Sequence, residues 1–235
     1  MRYSKLIAGL TLAASASVAN AGLVIDSINV KMVSTTFSAR NLAGNNADRF
    51  ATALASFNAV AGPVCDQNLE ALEGVSYRGT CGGTRNDYAA LYTIKGSLTG
   101  TAEFEFGLDW GRGGFIAGDF DGAPVNYINY INDDIWWSNS WSNRDVLNYS
   151  FADVNNFTLT LLGFEGCCDG INSARYRTSV PSPLVIIAAN NDQTRQVAGS
   201  FGDWQTLQVN AVPVPGSLPL MAVGALLLLR RRNQA

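Results

Sequence analysis

From Leu23 to Val33 the chain reads LVIDSINVKMV, apolar and polar positions in alternation, which predicts a first strand. The period then changes. Phe50, Leu54 and Phe57 fall on one helical face between Asn46 and Val60, with Asn45 or Asn46 to cap the start and Gly62-Pro63 to stop it, so the spacing predicts one amphipathic helix over about 46–60. A membrane-surface role would want Lys or Arg on its polar face, so the helix is expected to pack on the core. Cys65 to Gly83 reads as a loop-rich stretch. Beyond it the period is two. Between Leu91 and Trp110, Phe104, Phe106 and Leu108 share one side of a strand while Glu103, Glu105 and Gly107 share the other. Gly111 to Gly114 turns the chain, and further strands are expected at Phe115–Phe120, Val125–Tyr130, Ile135–Trp137, Val146–Phe151, Phe157–Phe164, Ser173–Val180, Leu184–Ala188 and Phe201–Val209. Many short strands joined by Gly, Asn and Asp turns predict a mostly β domain, an antiparallel β-sandwich or jelly roll carrying one N-terminal helix.

The two ends follow other patterns. Arg2 and Lys5 precede an apolar run from Leu6 to Leu12 and the small-residue sequence Val18-Ala19-Asn20-Ala21, the layout of a secretory signal peptide over 1–21. Sec translocon and signal peptidase are the implied partners. At the other end, Pro213-Val214-Pro215 leads into an apolar, uncharged run from Gly216 to Leu229 and the cluster Arg230-Arg231-Arg232. As a helix that run spans about 21 Å, short of the roughly 30 Å hydrocarbon core, so a short C-terminal membrane helix is expected as a transient anchor. The arginines would stay on the cytoplasmic side and leave the body outside. The expected organisation is thus a signal peptide at 1–21, an extracellular body at 22–211 and a sorting segment at 212–235.

This tail resembles the PEP-CTERM sorting signal of Gram-negative bacteria. Val214 stands where the motif has Glu, and both flanking prolines are kept. The resemblance implies processing by an exosortase, a membrane-embedded transpeptidase-like enzyme, and a final place on the cell surface or in the extracellular matrix. A lipid-anchor signal would end in its apolar tail rather than in three arginines.

Composition narrows the chemistry. Five of the 16 Lys and Arg lie in the end segments and none of the 19 Asp and Glu does, so the body carries a net charge near −8. That disfavours nucleic acid and anionic lipid as partners. The chain has no histidine, which excludes Ser-His-Asp and Cys-His catalysis and the usual zinc sites. Export would let the four cysteines oxidise. Four cysteines allow three connectivities. Cys65–Cys81 with Cys167–Cys168 is the expected one, because Cys65 and Cys81 bracket a loop with no other staple; the other two tie the adjacent pair to Cys65 and Cys81. Adjacent Cα atoms lie about 3.8 Å apart, below the usual disulfide range of about 4.4–6.8 Å, so a vicinal bridge makes a tight, rigid turn. Gly166-Cys167-Cys168-Asp169-Gly170, together with the tail, resembles the CCXG family of PEP-CTERM proteins. The resemblance implies an exported, surface-sorted protein and transfers no activity.

Three kinds of candidate chemistry remain in the body. Trp136, Trp137 and Trp141 lie in the polar stretch NDDIWWSNSWSNRD, where indoles can stack on sugar faces while Asp133 and Asp134 bond hydroxyls. This looks like the loop-end sites of galactose-binding-like jelly rolls; the same indoles also suit a sandwich core. Asp119 and Asp121, with Asp133 and Asp134, offer oxygen ligands for Ca2+, although Asp-Gly is equally the chemistry of a turn. Glu103 and Glu105 share a strand face about 7 Å apart, a spacing open to a carboxylate-pair glycoside hydrolase and equally to a solvated face. The expected function is a non-catalytic module associated with extracellular polysaccharide, with a purely structural matrix scaffold as the alternative and a glycoside hydrolase behind both.

Overall fold

In the computed structural model of the chain the described residues are 22–83, 86–125, 130–131, 140–143, 146–168, 170–179 and 201–210. The signal-peptide and sorting segments, the expected strands at Ile135–Trp137 and Leu184–Ala188, and Trp136, Trp137, Asp133 and Asp134 lie outside them. So does the expected C-terminal membrane helix; among the described residues no helix is long and apolar enough to cross a membrane.

The alternation at Leu23 becomes β1 (Gly22–Ser34), whose inward residues Ile25, Ile28, Val30 and Met32 are almost wholly buried. The strands that follow are β2 (Cys65–Leu69), β3 (Tyr88–Gly107), β4 (Gly114–Phe120), β5 (Ala123–Val125), β6 (Tyr130–Ile131), β7 (Leu147–Glu165), β8 (Ser173–Thr178) and β9 (Gln205–Thr206). All pairings are antiparallel, in the order β2-β1-β3-β7-β4-β5, with β8 added to β3 and β9 to β8.

The expected set of short strands is corrected here by two long ones, β3 with 20 residues and β7 with 19. They pair along nearly their whole length and bend together, with register shifts between Gly96 and Thr101. At the bend Asp153 adopts a left-handed backbone (φ 48°) and its Oδ1 accepts the Gly100 N–H at 2.7 Å. The first half of β3 is flanked by β1 and the second half by β8. One continuous sheet therefore folds over its own core, which holds Tyr92, Ile94, Phe104, Phe106, Trp110 and Leu161. Segment 70–75 and the chain around Leu207 close the open side. Leu72 N–H donates to Leu207 O, Leu207 N–H to Ala174 O and Ala174 N–H to Leu72 O, at 2.8–2.9 Å.

The expected helix forms as α1 (Asn46–Asn58), capped by Asn45, whose Oδ1 accepts from Ala47 and Asp48 N–H. Its apolar face lies on the outside of the sheet, where Ala53 and Phe57 join Ala89, Phe115, Leu162 and Phe164 in a second cluster. The stretch expected as loop holds the edge strand β2 and a single-turn helix, α2 (Tyr77–Cys81). The sequence CDQNL hid β2 because its three central residues are exposed and polar, as edge strands are.

Candidate functional site

Antiparallel pairing of β3 with β8 sets Glu105 opposite Arg175 and Glu103 opposite Arg177. All four side chains stand on the outer face, since Phe104, Phe106, Ala174 and Tyr176 between them point into the core. Arg175 Nε donates to Glu105 Oε2 at 2.6 Å and Arg177 Nε to Glu103 Oε2 at 2.7 Å; each pair is completed by Nη2 on the same oxygen. The arginines are also stacked. The Arg175 guanidinium lies 4.4 Å from the centre of the Trp141 ring and 4.6 Å from that of Trp204. Arg177 lies 4.6 Å from Trp204 and 5.0 Å from Phe201. Such contacts are worth about 0.5–2 kcal/mol each. They hold indoles from two distant segments in one preformed wall.

Beside this wall opens a cleft of about 490 Å3 lined by Glu73, Trp141, Arg175, Trp204, Gln205 and Thr206 among others. Tyr176 Oη donates to Gln205 Oε1 at 2.9 Å, which leaves the Gln205 amide NH2 as a donor. Aromatic surface, an amide, a hydroxyl and a carboxylate together suit a hydroxylated ligand. Glu103 and Glu105, by contrast, are held by their arginines.

Of the expected site residues, Trp141 is therefore in the cleft. Trp204, Arg175 and Glu73 were missed: Trp204 falls in a stretch read simply as strand, and the arginines lie some 70 residues from their glutamates in sequence. Asp119 lies in β4. Asp121 forms the β4–β5 turn with φ 53°, and its Oδ1 accepts the Asn156 N–H at 2.9 Å. Among the described residues no group of three acidic, Cys or His side chains is placed to hold a metal ion.

The cysteines pair as Cys65–Cys81 and Cys167–Cys168, with Cα separations of 5.8 and 3.7 Å. The first joins the start of β2 to the end of α2. The second forms an exposed turn in which Cys168 takes φ 75°. Beneath it the buried Glu165 carboxylate accepts N–H bonds from Gly111, Gly166 and Cys167 at 2.6–2.8 Å. Asp109, also buried, has its carboxyl pushed up to about 7, first by burial and then by the charge of Glu165. The Gly of the CCxG motif is required by close approach: a Cβ on Gly170 would sit 1.4 Å from Asp109 Oδ2.

No protein-family model matches the chain, and no curated protein matches its sequence. Among solved structures it is similar to the PA14 domain of the MpAFP antifreeze protein, with 9% identity over 66% of this chain and 82% of that one, at a TM-score of 0.34. The Epithelial Adhesin 9 A domain of Candida glabrata, solved in complex with Galβ1-3GlcNAc, is similar at 8% identity over 82% and 92% of the two chains, with a TM-score of 0.34. Its subtype-switched form in complex with β-lactose is 8% identical over 78% and 88%, also at 0.34. Likenesses of this degree leave the site's chemistry to its own residues.

Proposed function

We propose that this chain is an exported bacterial surface or extracellular-matrix protein whose sandwich body, jelly-roll-like in its folding, binds extracellular polysaccharide without cleaving it. Its delivery would use the Sec translocon, signal peptidase and an exosortase, with the tail as a transient inner-membrane anchor. The sequence patterns of the two ends support that route. The observation that carries the binding function is the cleft walled by Trp141 and Trp204, whose indoles are fixed by Arg175 before any ligand arrives. Preformed aromatic walls lose little freedom on binding, which favours a weakly hydrated sugar face. The ion pairs of Glu103 and Glu105 support a binding role over a hydrolytic one, since both carboxylates already serve as structural anchors.

The test is affinity electrophoresis of the mature protein through gels containing exopolysaccharide. Retardation is expected, and Trp204→Ala should lower affinity at least tenfold with the fold retained. Migration unaffected by any polysaccharide would leave only a matrix scaffold, and release of reducing sugar that Glu105→Gln abolishes would make the protein a hydrolase.

A further inference from the structure

The charges around the cleft are not balanced. Arg175 is neutralised by Glu105 and Arg177 by Glu103, and all four side chains are at least two-thirds buried. Glu73 lines the same cleft, is exposed, and takes part in no ion pair among the described residues. Among the described residues its side chain has a single hydrogen bond, a long one donated by Thr206 Oγ1 to Oε2 at 3.4 Å. An uncompensated carboxylate therefore stands beside two indoles that already bind a cation on their faces. Carboxylate with aromatic walls is the chemistry that recognises an ammonium group. Net charge points the same way: a body near −8 repels a polyuronate and attracts a polycation.

We infer that the cleft selects an amino sugar with a free, protonated amine, its ammonium pairing with Glu73 while the ring packs against the indole walls and its hydroxyls meet Gln205 and Thr206. This rests on the sugar-binding reading and narrows it to one class, the partly or wholly deacetylated hexosamine polymers. An acetylated amine carries no charge and keeps only the stacking and hydroxyl contacts. The expected preference is modest, about three- to tenfold, because a single ion pair at a solvent-accessible mouth is worth about 1 kcal/mol. It should fade with added salt, which screens the pair over less than about 10 Å above 0.1 M.

The experiment is calorimetric titration of the mature protein with a β-1,4-glucosamine tetramer, its fully N-acetylated counterpart, a galacturonate tetramer and a lysine tetramer. The glucosamine tetramer should bind tightest and the galacturonate weakest. Glu73→Gln should erase the preference for the free amine, bringing the glucosamine tetramer down to the affinity of its acetylated counterpart, while Trp204→Ala weakens both. Equal binding of free and acetylated tetramers, or a preference that survives Glu73→Gln, overturns the inference and leaves sugar binding standing. A lysine tetramer that binds as well as glucosamine also overturns it, since the site would then read charge alone. If none of the sugars binds, the broader reading falls with it.

Discussion

Asp109 and Glu165 are two carboxyl groups beneath one turn, in different surroundings. Three backbone N–H groups face Glu165, whereas Asp109 has burial and a like charge against it. The folded state therefore holds a proton on Asp109 that the unfolded chain gives up near 3.8. Stability from this group is fully present below pH 3.8 and is lost progressively as pH rises to about 7, because the native state binds more protons over that window. Asp109→Asn removes the titration. The variant should gain stability relative to wild type between acid and neutral pH, on the order of 2–4 kcal/mol by pH 8. Urea unfolding at pH 4.5 and pH 8 reads it; an unchanged difference between the two would show that Asp109 does not titrate in this range.

Trp110 shows how an element depends on a residue that is not there. It packs across Gly114 of β4 and Gly163 of β7, which face each other in register, and a Cβ on Gly163 would lie 1.9 Å from the Trp110 ring. Gly163→Ala should cost about 3 kcal/mol, the upper range for overpacking, since a fully buried indole has nowhere to move. Guanidinium unfolding with an unchanged midpoint would contradict this. At the other end of the sheet, Cys65–Cys81 closes a loop of sequence separation 16. Replacing both by Ala should remove about 3 kcal/mol, read as a lower midpoint in denaturant. The β class, the capped helix and this disulfide were legible because local signals carry them: alternation, Asn45 before an i, i+4, i+7 stripe, and two cysteines bracketing an unstapled stretch. The cleft was not. Glu105 looks like a free carboxylate until β8 is placed beside β3, and pairing register across some 70 residues leaves no local mark. The bend at Asp153 was hidden for a related reason: a polar stretch between two apolar runs reads as a loop, although hydrogen bonds to β3 continue on either side of it.

For the whole molecule, the consequence of β3 and β7 is that the two halves of the folded sheet share both of their long strands. Local unfolding of one half would leave half of each long strand unpaired and expose a shared aromatic core in which Phe104 stacks on Phe151 at 5.0 Å. A single cooperative transition is expected, with far-UV circular dichroism and tryptophan fluorescence tracing one thermal curve. Two separated midpoints would mean that the halves unfold independently.

Asn210 clasps the far end of this sheet to its beginning. Its N–H donates to Ile25 O, its Oδ1 accepts from Ile25 N–H and its Nδ2 donates to Leu23 O. Tension on the chain beyond Asn210 meets these three bonds first. Next come those of Val209 to Glu70 and of Leu207 to Ala174, and only then β9, which Trp204 directly precedes. A pull on the chain beyond Asn210 would thus load the start of β1 first and leave the aromatic wall of the cleft slack until that clasp had given way.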